Sequence, residues 1–201
     1  MINKWANFIS VICHPIWINA IALWSLLLLH PFMHAGLNNS VKLFYFGFIF
    51  ISCSIVPLVV VLLGKFFGYS SNILLPNSED RHIPYLVTAA MLVFNFYLMK
   101  KIGAPYPLQS YLLASASIMI VIIIINFNTK ISAHATALGA WVGLIIALGK
   151  LSFIDVRWLL IASILISGLT LAARLQLNAH TKSQVYSGFL IGLGIMFLLG
   201  V

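Results

Sequence analysis

The sequence predicts an all-α membrane protein, a polytopic bundle of six or seven transmembrane helices forming one domain over residues 1–201. Composition is the first reason: 62% of the residues are hydrophobic and only 7% charged, whereas soluble domains carry roughly 25% charged residues. Mean hydropathy is correspondingly high, at +1.09. The second reason is patterning, since the apolar residues fall in long runs separated by short polar stretches. The net charge of +8 arises mainly because the acids number three, Glu79, Asp80 and Asp155. No cluster of Lys and Arg is dense enough for a nucleic-acid surface, so the expected partner is the bilayer.

The first run extends from Phe8 to about Leu29, interrupted by His14, Pro15 and Asn19. It is too long, and lacks the small-residue exit, for a cleaved signal peptide, and is read as a retained span. A short polar linker, His30 to Lys42, leads to a second span from Leu43 to Leu63, in which Pro57 is expected to kink the helix without ending it. From Gly64 to Tyr85 the composition turns to Gly, Ser, Asn and Pro, giving the longest connection. Spans three to seven then follow at Ile83–Met99, Leu108–Phe127, Ser132–Leu148, Trp158–Ala173 and Val185–Val201. Cys13 and Cys53 lie in apolar runs, where a thiol is expected to act as a small hydrophobe. His14, His30 and His34 are assigned structural or interfacial roles, and the tryptophans packing or interfacial anchoring.

Three polar stretches interrupt this pattern: Glu79 to Pro84, Lys130 to His134 and Arg174 to Gln184. They follow spans two, four and six, so alternating topology places all three on one membrane face. Ionisable groups at such positions point to function. Setting aside Arg81, Lys130 and Arg174 as site residues, the remaining basic residues favour an outward-facing site with the amino terminus outside, as in a bacterial inner membrane.

Together the three stretches resemble the motifs of the type-2 phosphatidic acid phosphatase superfamily of membrane phosphohydrolases. That family shows a Lys followed seven residues later by Arg-Pro, then Pro-Ser-Gly-His, then Ser-Arg with a His six residues after the Arg and an Asp four beyond. Here ARLQLNAHTKSQ matches at Arg174 and His180, with Ala173 for Ser and Gln184 for Asp. ISAH matches at Ser132 and His134, with Ile131 for Pro and Ala133 for Gly. RHIPY matches at Arg81, with Pro84 displaced and the upstream Lys missing.

The resemblance implies a metal-independent, cofactor-free phosphatase acting on a phosphorylated lipid or polyprenyl mono- or diphosphate. His180 would attack phosphorus, His134 would protonate the leaving oxygen, and Gln184 would orient His180 without the charge of an Asp. Arg81, Arg174, Ser132, Ala133 and the Lys130 stand-in for the missing Lys would bind the phosphate oxygens. Glu79 or Asp80 is a candidate to restore the lost carboxylate. Two other classes compete: a catalytically weakened relative that binds anionic lipid headgroups, and a haem-binding electron-transfer protein using two of the six histidines. Plain structural readings stand beside these. Arg174 and Lys182 would mark a span end, and Gln184 would cap the last helix. Substrate identity and oligomeric state are left open by the sequence.

Overall fold

The computed structural model describes residues 2–68, 79–151 and 155–201. Its elements are helical, with no strand among the described residues: α1 (Ile2–Ile12), α2 (Pro15–Leu29), α3 (Pro31–Gly36), α4 (Asn39–Phe50), α5 (Val56–Phe66), α6 (His82–Lys101), α7 (Tyr106–Asn126), α8 (Ala133–Leu151), α9 (Arg157–Gln176) and α10 (Lys182–Leu199). Six helical segments are long and apolar enough to cross a bilayer, or seven if the bent pair α1–α2 counts as one span. The protein is therefore a multi-pass membrane protein with an all-α bundle architecture. Most of the connection predicted from Gly64 to Tyr85 lies outside the described residues, as does part of the turn between α8 and α9.

The structure adds detail to two expectations from sequence. The first span is two helices bent by 42°. Pro15 offers no N–H and forces His14 out of the helical region, to φ −63° and ψ 142°. The linker from His30 to Lys42 is also largely helical: α3 fills its middle and α4 begins at Asn39, so Lys42 is a buried helical residue whose Nζ donates to the His34 carbonyl at 3.0 Å.

Pro57 does keep the second span continuous, by way of one π-helical turn. Ile51–Ile55 is π-helical and the Val56 N–H reaches back to the Ile51 carbonyl, so the 28-residue span Asn39–Phe66 absorbs the proline. This turn carries a polar clamp. Asn95 of α6 is fully buried, donating to Ser52 Oγ at 2.9 Å and Cys53 Sγ at 3.5 Å and to the Met91 carbonyl at 2.7 Å. Cys53 is thus an acceptor within the clamp, beyond the apolar role expected of it.

The bundle is built around α8, the most buried of the spanning helices. Its closest neighbour is α10, which runs parallel to it. A Cβ added at Gly139 would meet the Phe189 carbonyl oxygen, one at Gly143 the Leu193 carbonyl, and one at Gly192 the Thr136 carbonyl. Each helix therefore presents a glycine pair four residues apart, Gly139 with Gly143 and Gly188 with Gly192, and the backbones touch there. α2 joins this centre through Trp141 Nε1, which donates to Ser25 Oγ at 3.3 Å.

Candidate functional site

Because α8 and α10 start at the same end of the bundle, their first turns are side by side. The Ser132 N–H donates to the Gln184 carbonyl at 3.3 Å, and Gln184 Nε2 donates to Thr129 Oγ1 at 3.5 Å. Second and third polar stretches thereby meet directly. Arg174 reaches the same place from the last turn of α9. That helix ends in a Schellman turn: Asn178 takes φ 50°, its N–H bonds the Leu175 carbonyl, and the Ala179 N–H bonds the Arg174 carbonyl at 3.2 Å. The turn reverses the chain within a few residues and brings His180 back beside Arg174.

His180 is buried, with 8% of its surface exposed. Its Nδ1 lies 3.3 Å from Gln184 Oε1. That oxygen is identified by the Thr181 N–H, which donates to it at 3.1 Å, so His180 Nδ1 carries the proton and Nε2 keeps its lone pair. The same Gln184 amide completes a capping box with Thr181 at the start of α10. One side chain thus caps α10 and contacts the His180 ring.

The electrostatics around His180 are one-sided. Burial first, then the charges of Arg174, Arg81 and Lys130, push its pKa down from 6.5 to about 4, against a small opposing contribution from Gln184. Lys130 is likewise lowered, by burial and then by Arg81 and Arg174. Arg81, at the head of α6, is therefore within electrostatic reach of both other stretches; it is buried and hydrogen-bonded to Tyr85. Arg174 Nε is buried with no hydrogen-bond partner among the described residues, a donor beside the positive charge of Arg81.

The remaining predicted residues take less expected places. Ser132 contributes through its backbone: the side chain is fully buried and its Oγ accepts from the Ala135 N–H at 3.4 Å, capping α8. The hydroxyl expected to contact phosphate is thus also the cap of α8. Ala133 opens α8, whose first N–H groups have no acceptors within the helix. His134 stands at that same turn, but its Nε2 is held at 3.0 Å by the Ser10 carbonyl. Glu79 is exposed and Asp80 half-buried, and among the described residues the charges acting on His180 are those of Arg174, Arg81 and Lys130.

Compared with known proteins, the chain matches no family model, no curated protein and no solved structure.

Sequence reasoning missed the contribution of the first span. Ser10 is buried, its Oγ 3.5 Å from Arg174 Nη1 and its carbonyl on His134. His14 packs edge-on against His134, ring centres 5.4 Å apart, and also caps α2 by accepting the Ile16 N–H at 3.4 Å. The two rings touch one another, which leaves no gap for a porphyrin between them. Among the described residues no group of three or more His, Cys, Asp or Glu is placed to hold a metal ion.

Proposed function

We propose that this protein is a membrane phosphohydrolase, similar to the type-2 phosphatidic acid phosphatases, that removes phosphate from a lipid or polyprenyl mono- or diphosphate. The observation that carries the reading is His180: neutral, fixed with its Nε2 lone pair unspent, and set among Arg174, Arg81 and Lys130. A nucleophile inside a cage of cations suits an anionic electrophile, because the charges that, after burial, help keep the ring deprotonated also attract phosphate oxygens. In this reading Nε2 attacks phosphorus, the bond from phosphorus to the lipid oxygen breaks, and that oxygen takes a proton from His134. Water then cleaves the phosphohistidine while giving a proton back to His134, releasing phosphate and the free ring. The apolar walls would keep the lipid tail in the bilayer, with the site on the outward face of a bacterial inner membrane.

One observation favours a second reading, a relative that binds anionic headgroups without turnover. Gln184 is neutral, and a neutral partner stabilises a histidine cation less than an Asp does. In the serine-protease triad, replacing the orienting Asp by Asn lowers turnover about ten-thousandfold. Phosphate release from a panel of lipid mono- and diphosphates in detergent separates the two. We expect release without added metal that disappears in His180→Ala and Arg174→Ala. Release that persists in His180→Ala overturns the mechanism, and no release from any substrate by the folded protein favours the binding reading.

A further inference from the structure

We infer that the break between α1 and α2 is a positioning device for His134, in which Pro15 releases the Ser10 carbonyl from the helix so that it holds the His134 ring in one tautomer. The inference starts from the backbone ladder. In an unbroken helix the Ser10 carbonyl would accept from the His14 N–H, four residues on. Proline at 15 removes the next donor and pushes His14 into an extended conformation. The His14 N–H consequently turns to the Val11 carbonyl, at 3.3 Å, while the Cys13 N–H keeps its ordinary helical partner, the Ile9 carbonyl, at 2.8 Å. Ser10 is left with a carbonyl that no backbone donor claims, at a residue only 7% exposed. A buried carbonyl needs a partner, and the partner supplied is His134 Nε2 at 3.0 Å.

A carbonyl oxygen can only accept, so His134 Nε2 bears the proton and Nδ1 is the nitrogen left for other work. The two site histidines are then arranged reciprocally. His180 is held at Nδ1 by the Gln184 amide oxygen and presents Nε2, while His134 is held at Nε2 by the Ser10 amide oxygen and presents Nδ1. Under the phosphohydrolase reading, on which this consequence rests, Nδ1 accepts a proton from the water that cleaves the phosphohistidine and gives that proton to the leaving oxygen of the next turnover. The Ser10 carbonyl meanwhile keeps the Nε2 proton and supports the transient cation. Ser10 also links this nitrogen to the phosphate-binding arm through Arg174 Nη1, so the first span couples the two halves of the site.

Long-range proton–nitrogen NMR on protein labelled with nitrogen-15 histidine reads the tautomer directly, whether or not the protein has activity. Native protein is expected to show His134 as the Nε2–H form. Pro15→Ala restores the missing donor, returns the Ser10 carbonyl to the helix and shifts the His134 nitrogens toward tautomer-averaged positions, with His180 unchanged. Ser10→Ala, which keeps the carbonyl and removes only the hydroxyl, is expected to leave the native His134 signature intact. A native His134 in the Nδ1–H form, or a signature unmoved by Pro15→Ala in a helix shown to be straightened, overturns the inference. Absence of phosphate release from the native protein would instead sink the phosphohydrolase reading and leave the tautomer result standing.

Discussion

A histidine that attacks phosphorus must be neutral, and burial and the three cations around His180 keep it so down to about pH 4. By this mechanism kcat/KM, which reports the free enzyme, has an acid limb near that pH and no loss from this group up to neutrality. Gln184→Glu sharpens the test. Glu preserves the capping box with Thr181 but sets a carboxylate beside Nδ1, so the acid limb should move up toward the ordinary histidine range. An unmoved limb would mean that His180 does not set it. The same ring makes a stability prediction with a definite sign. Unfolded it titrates near 6.5, folded about 4, so between these values the unfolded chain holds the extra proton. Stability therefore falls as pH drops from 6.5 to 4. Thermal unfolding in detergent should show that decline in native protein and less of it in His180→Gln; equal declines would contradict the assignment.

The helices that carry these residues are positioned by α8 and α10 touching through glycine. At Gly192 a methyl group would strike the Thr136 carbonyl, and at Gly139 the Phe189 carbonyl, both backbone atoms that cannot rotate away. Gly139→Ala or Gly192→Ala should therefore cost about 1–3 kcal/mol by overpacking and pull Ser132 off Gln184. Gly194 lies on the same helix with nothing within 4 Å of its added Cβ, and Gly194→Ala should be neutral or stabilising. Matched midpoints for the three variants would show that the close approach does not matter. The spans themselves were legible, because long apolar runs separated by polar residues have few other solutions. The glycine pairs were written just as openly at Gly139, Gly143, Gly188 and Gly192, but pairing them requires knowing which helices meet. Pro15 was visible and its break foreseeable; what could not be read was where the freed Ser10 carbonyl goes. A main-chain oxygen leaves no signature in residue type, and its partner His134 lies 124 positions away. Ser132 and His134 were found by type and spacing, yet the roles of their atoms depended on neighbours that only the fold supplies.

Across the whole molecule, charge is sparse and unevenly placed: two of the three arginines meet at one end of the bundle with Lys130, whereas the third, Arg157, forms an exposed pair with Asp155 at 2.6 Å. The latter contributes little to stability in water. The former is a cost, since Arg81, Arg174 and Lys130 repel one another and the buried Nε of Arg174 has no acceptor among the described residues. An anion that enters the cluster relieves both terms at once, so it should stabilise the entire fold and not only the local turn. Ligand that binds the folded state alone raises stability by about 2.7 kcal/mol at a hundred times its dissociation constant. Thermal midpoints in detergent should accordingly climb with added phosphate or orthovanadate, in proportion to the logarithm of concentration once binding saturates. Chloride at matched ionic strength would only screen the repulsion and should give a smaller rise. In Arg174→Ala the phosphate-specific part should vanish, because the substitution removes both the orphaned donor and one of the repelling charges; the variant's own midpoint in the absence of anion then measures the repulsion left behind. A native protein that responds identically to phosphate and chloride would show that this cationic end binds no anion, whatever chemistry its histidines perform.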